Sequence, residues 1–173
     1  MVNSIKLNNL ISNLKNLKYS QNTFSHKEHE ESVEKIIIEN GFMSNNLELY
    51  YINQPNGSQM PPDFRVFDKN ENIDLECKSK KNGYKPMWNS SIPSNDTFYI
   101  YTNQKDNKTI IIKGSEIITD KLQEELNKYK QETKLLENKY NIILKNLPEK
   151  DNPYNFGVYA RNMFVQNKHF TNN

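Results

Sequence analysis

Apolar residues recur along the chain with two periods, one helical and one extended, and these divide it into elements. Leu7, Leu10, Ile11, Leu14 and Leu17 fall on one face of a helix within residues 4–18. "SHKEHEESVEKIIIENGF" predicts a second helix, opened by a capping-box pair at Ser25 and Glu28 and stopped at Gly41. "LELYYI" at 47–52 predicts a strand, and the Pro, Gly and Asn of "NQPNGSQMPP" predict a loop after it. Strict alternation in "DFRVF" and "IDLECKS" predicts two strands joined by the polar turn "DKNEN". "TFYIYT" at 97–102 and "TIIIKG" at 109–114 predict two more strands. A long helix follows over about 119–147, ended by Pro148, and the remaining tail is aromatic and irregular. Helices, then a strand meander, then a helix predict one α/β domain over 1–173 with a mixed or antiparallel sheet.

The chain has 173 residues, 35% hydrophobic and 25% charged, enough for a real core in a polar, soluble protein. No apolar run approaches the roughly 20 residues of a membrane span, and the N-terminus lacks the apolar core of a secretory signal. A cytoplasmic location is the expectation. The one cysteine, Cys77, excludes an internal disulfide and a cysteine-rich zinc site. A net charge of +2 does not announce a nucleic-acid binder, but "KSKKNGYK" from Lys78 to Lys85 holds four lysines and no acid.

The hairpin carries the candidate chemistry. In "IDLECKS", Ile73, Leu75 and Cys77 share one face and Asp74, Glu76 and Lys78 the other. Glu76 and Lys78 therefore lie side by side, roughly 7 Å apart along the strand. Asp63 stands at the entry to the preceding strand, where hairpin pairing can bring it near Glu76. Two converging carboxylates repel and shift each other's pKa. A hard divalent cation relieves this, and Mg²⁺ takes one or two carboxylates with waters and a phosphate oxygen. Lys78 can then hold or help activate an attacking water. A solvated hairpin face would show the same residues.

Pro62-Asp63 and Glu76-Cys77-Lys78, with twelve residues between the two acids, resemble the PD-(D/E)XK nuclease superfamily. The resemblance implies a restriction-endonuclease-like mixed sheet flanked by helices, with Asp63 and Glu76 binding Mg²⁺, the Cys77 carbonyl as a further ligand and Lys78 as the catalytic lysine. Many members carry a glutamate on the helix before the sheet, about eleven residues before a Gly-Phe. Glu30 stands eleven before Gly41-Phe42 and would orient a water, although Glu28, Glu31 and Glu34 leave the register open. His26 and His29 lack a completing His-Cys cluster and are expected at the surface or facing DNA.

"GYKPMWNSSIPSNDTFYIYT" is similar to the stretch after the catalytic lysine in several small type II restriction endonucleases, and the likeness covers about 25–115. Lys80, Lys81 and Lys85 are candidate phosphate contacts and Asn89 a reader of adenine edges. Trp88 either stacks on a base or anchors packing. Arg161, one of two arginines, suits a guanine, a phosphate or a structural ion pair.

In the long helix, Leu122, Leu126, Tyr129, Thr133, Leu136, Tyr140, Ile143 and Leu147 recur in heptad spacing. This fits either packing on its own domain or a homodimer contact, and cutting both strands of a palindrome favours the dimer. The expectation is a Mg²⁺-dependent type II restriction endonuclease acting on double-stranded DNA, with a cognate DNA methyltransferase in the same system. The alternatives are a structure-specific nuclease of the junction-resolvase or repair kind, and a non-catalytic DNA-binding or interaction protein.

Overall fold

The computed structural model describes residues 3–18, 25–58, 60–80, 87–89 and 91–166, with only the backbone of Met87 and Asn89. Helix α1 (Ile5–Lys15) starts where the Ser4 hydroxyl accepts the Leu7 N–H at 3.1 Å, and it buries Leu7, Leu10 and Leu14. Helix α2 (His26–Glu39) opens on the expected capping box of Ser25 and Glu28 and buries His29, Val33 and Ile37.

Five strands form one mixed sheet: β1 (Leu49–Asn53), β2 (Phe64–Asp68), β3 (Glu71–Lys80), β5 (Thr97–Asn103) and β6 (Lys108–Lys113), in the spatial order β1-β2-β3-β5-β6. The β2–β3 turn is tighter than expected. Pairing runs on to Asp68 opposite Glu71, leaving a two-residue loop with Lys69 at φ +52°. The expected meander is broken once. β3 and β5 are parallel, Glu76 opposite Tyr99 and Lys78 opposite Tyr101, so the chain crosses over between them. That crossover carries β4 (Met87–Asn89), which pairs with β7 (Met163–Val165) from the tail.

Each face of the sheet has its own cover. Leu7, Leu10, Val33 and Ile37 of the helices pack on Phe64, Val66, Leu75 and Ile100. On the opposite face Trp88, Tyr99 and Phe164 form a smaller cluster with Ile112 and Leu126 beside it. The short helix α3 (Gly114–Ile117) leads into the long helix α4 (Asp120–Lys145), whose N-cap Thr119 accepts the Leu122 N–H. The tail then returns along α4. Asn141 bonds both the N–H and the carbonyl of Val158, and Glu137 accepts the Ala160 N–H at 3.2 Å. No helix among the described residues is long and apolar enough to cross a membrane.

One correction concerns the histidines. His26 is exposed and its Nδ1 lies 3.3 Å from the Ser79 hydroxyl, but His29 is fully buried. His29 belongs to a polar chain that ties the segment after α1, helix α2, β5 and β6 together. The Thr109 hydroxyl donates to the Leu17 carbonyl at 2.8 Å, so it accepts from Thr102 at 3.0 Å. Thr102 has then spent its only proton, and His29 Nε2, 3.2 Å away, must be the donor to it. This fixes the neutral imidazole with its proton on Nε2.

Burial, with His26 adding repulsion, lowers the His29 pKa to about 3 from its ordinary 6.5. Between these values the unfolded chain binds the extra proton, so His29 contributes stability above pH 6.5 that is lost as pH falls toward 3. From pH 7.5 to 5 its share of the unfolding free energy should fall by about 2 kcal/mol. Urea unfolding at both pH values checks this: His29→Gln should be less stable than wild type at pH 7.5, with the difference shrinking at pH 5.

Candidate active site

The end of β3 draws acids and a lysine together for reasons that start in the backbone. β2 pairs with β3 only as far as Phe64 opposite Leu75. The next position of β2 facing β3 in the same way is Pro62, which has no N–H to offer the Cys77 carbonyl and lies beyond the last paired residue. Cys77 lies past the end of the β2 pairing, and its N–H goes to a side chain instead: Asp63 Oδ2 accepts it at 2.6 Å. The Asp63 carbonyl accepts the Gln54 N–H at 2.7 Å, which fixes the residue from the β1 side. N–H and C=O of one strand residue face the same neighbour, so the Cys77 carbonyl lies on the Asp63 side as well.

Glu76 and Lys78 share the other face of β3, as alternation requires, and meet there. Lys78 Nζ donates to Glu76 Oε1 at 2.7 Å. Glu76 is only 7% exposed, and its buried Oε2 has no hydrogen-bond partner among the described residues. The Lys78 ammonium also stands 5.8 Å from the centroid of the Trp88 ring. Trp88 meets Tyr99 edge-on at 4.9 Å, and the Tyr99 hydroxyl accepts the Ser94 N–H at 2.8 Å. Burial, reinforced by the Glu76 charge, pushes the Tyr99 hydroxyl up to about 12.

Three carboxylates feel one another here. Burial raises the pKa of Asp63, the Cys77 N–H lowers it, and the charge of Glu30 raises it again. Burial likewise raises Glu76, Lys78 lowers it, and Asp63 raises it. Glu30, reaching in from α2, is raised by burial and then by Glu76. Among the described residues no three His, Cys, Asp or Glu side chains form a ready cation cage. Mg²⁺ does not need one, since it commonly takes one or two carboxylates and completes its shell with water and phosphate. The unpartnered Oε2 of Glu76 beside Asp63 fits that role, and the Cys77 carbonyl faces the same side.

The remaining expected site residues divide four ways. Lys80 lies two residues beyond Lys78, on its face, at the end of β3. Arg161 is exposed, one residue beyond the Ala160 contact to α4, and Arg65 is spent on a two-pronged ion pair with Asp74. Lys81, Lys85 and the Asn89 side chain lie outside the described residues. Trp88 corrects the base-stacking expectation: at 3% exposure, its ring packs on Tyr99 beneath Phe164 rather than facing a base. Tyr99 was not singled out by sequence, because only the parallel β3–β5 register places it beside Glu76.

Lys78→Met should cost about 3 kcal/mol at pH 7, because it leaves a buried carboxylate without its counter-charge. Glu76→Gln in the same chain should restore more than half of that. The Lys78→Met loss should also shrink on acidification, as Glu76 takes up a proton. Denaturant unfolding of wild type, both single variants and the double variant measures the coupling.

No family model, curated protein or solved structure matches the chain, so a functional reading rests on the geometry of these residues.

Proposed function

We propose that this protein is a Mg²⁺-dependent endonuclease that hydrolyses phosphodiester bonds of double-stranded DNA at a specific sequence, as a type II restriction endonuclease with a restriction-endonuclease-like fold. One observation carries the reading: Asp63 is bonded to β3 at Cys77, directly beside a buried Glu76 that keeps one oxygen unpartnered and the other on Lys78. The resemblance to the PD-(D/E)XK nuclease superfamily names these same residues.

In this reading Asp63, Glu76 and the Cys77 carbonyl hold the cation. When bound, Mg²⁺ supplies Lewis-acid polarisation of a phosphate oxygen and offsets the negative charge of the acids. The protein supplies the rest. Lys78, fixed between Glu76 and the Trp88 ring, presents N–H donors to the attacking water or to the phosphate oxygens as their charge grows. Glu30, with its carboxyl raised by burial and by Glu76, orients that water and accepts its proton in this reading. Water forms one new P–O bond, the P–O bond to the departing sugar oxygen breaks, and that oxygen takes a proton from solvent. Lys80 and the lysines that follow it neutralise the flanking phosphates.

Supercoiled plasmid incubated with Mg²⁺ tests the proposal. Wild type should give discrete fragments, Asp63→Ala and Glu76→Ala none, and Lys78→Ala a rate lower by orders of magnitude. Lys80→Ala should act mainly on affinity and its salt dependence. Independently of cleavage, Mg²⁺ at about ten times its Kd should raise the wild-type Tm by about 3–5 °C. Asp63→Asn with Glu76→Gln should abolish that shift. Near-normal cleavage by either alanine variant overturns the site, and cleavage confined to branched DNA replaces restriction with junction resolution.

A further inference from the structure

Helix α4 carries an apolar stripe that its own domain does not cover. Leu126 turns inward toward the Trp88 cluster, and Tyr129 touches Phe164 at 6.1 Å between ring centroids. Beyond that point the described part of the returning tail occupies one flank only, the side of Glu137, Asn141 and Leu144. The heptad face stays open: Tyr129, Leu136, Tyr140 and Ile143 are each 46–55% exposed. A run of large apolar groups this exposed marks an interaction surface.

The charges beside the stripe identify the occupant. On the flank away from the tail stand Glu132 and Lys139, one heptad apart. Pairing two copies antiparallel brings each Tyr129 against the second copy's Tyr140 and each Thr133 against its Leu136. The same register sets Glu132 beside the second copy's Lys139, twice by symmetry. A parallel pair instead sets Glu132 against the second copy's Glu137, a like-charge contact on the flank that Lys134 and Ala160 already occupy. We propose that α4 is a homodimer interface in which two copies pair antiparallel through Tyr129, Leu136, Tyr140 and Ile143. The proposal is independent of the nuclease reading, since none of these residues belongs to the candidate active site.

Sedimentation velocity across a concentration series, with circular dichroism as the check on folding, tests it. Wild type should be a dimer. Leu136→Glu with Ile143→Glu should be a folded monomer at concentrations where wild type is fully dimeric, because both positions are exposed in the single chain. Glu132→Lys should weaken the dimer about tenfold by setting like charges together at two symmetric places, and adding Lys139→Glu should restore it. A monomeric wild type, or an unchanged dimer in the folded Leu136→Glu, Ile143→Glu variant, overturns the interface. Tightening by Glu132→Lys overturns the antiparallel arrangement, since it would relieve the parallel Glu132–Glu137 contact.

Discussion

A backbone N–H buried at the end of a strand must find an acceptor, and at Cys77 the pairing with β2 has already ended. Pro62 stands where the next β2 partner would be, and Asp63 fills the gap with its side chain. That one bond sets the position of the first carboxylate to within the reach of a strand step. The second follows from the pleat, because Glu76 is the residue before Cys77 and must lie on the other face. Lys78 then stands on the same face as Glu76, and the low-dielectric surroundings make their pairing close to obligatory. The parts of the site thus constrain each other through the backbone of β3.

The other half of the arrangement comes from the opposite end of the chain. Trp88 reaches Lys78 only because β4 pairs with β7, and β7 is delivered by the tail running back along α4. The site is therefore bounded by an early hairpin on one side and by the last described strand on the other. A polar helix would be an unusual neighbour for such a cluster if it served only as cover, and α4 gives most of its apolar surface to solvent instead.

What the sequence revealed was what short stretches decide alone. The Ser25–Glu28 capping box, the Thr119 start of α4 and the alternation in β2 and β3 all appear where local pattern placed them. The meeting of Asp63, Glu76 and Lys78 was legible for the same reason, since two adjacent strands of a hairpin fix their register locally. The parallel β3–β5 pairing was not, because nothing near either strand encodes a crossover. His29 misled because it lies on an acidic, outwardly polar helix, while its partners Thr102 and Thr109 are more than seventy residues away. Trp88 kept two readings open until the β4–β7 pair enclosed it.

Trp88 is the only tryptophan in the chain. Its indole lies between Tyr99 and the ammonium of Lys78, sheltered from water. Nearly all of the protein's long-wavelength ultraviolet emission must then come from one ring whose excited state feels one particular cation. Any event that draws Lys78 away from that ring changes the local field on the indole, and so its colour and brightness. The fold thereby carries a built-in optical reporter on the lysine at its centre, legible in solution without a dye or a label.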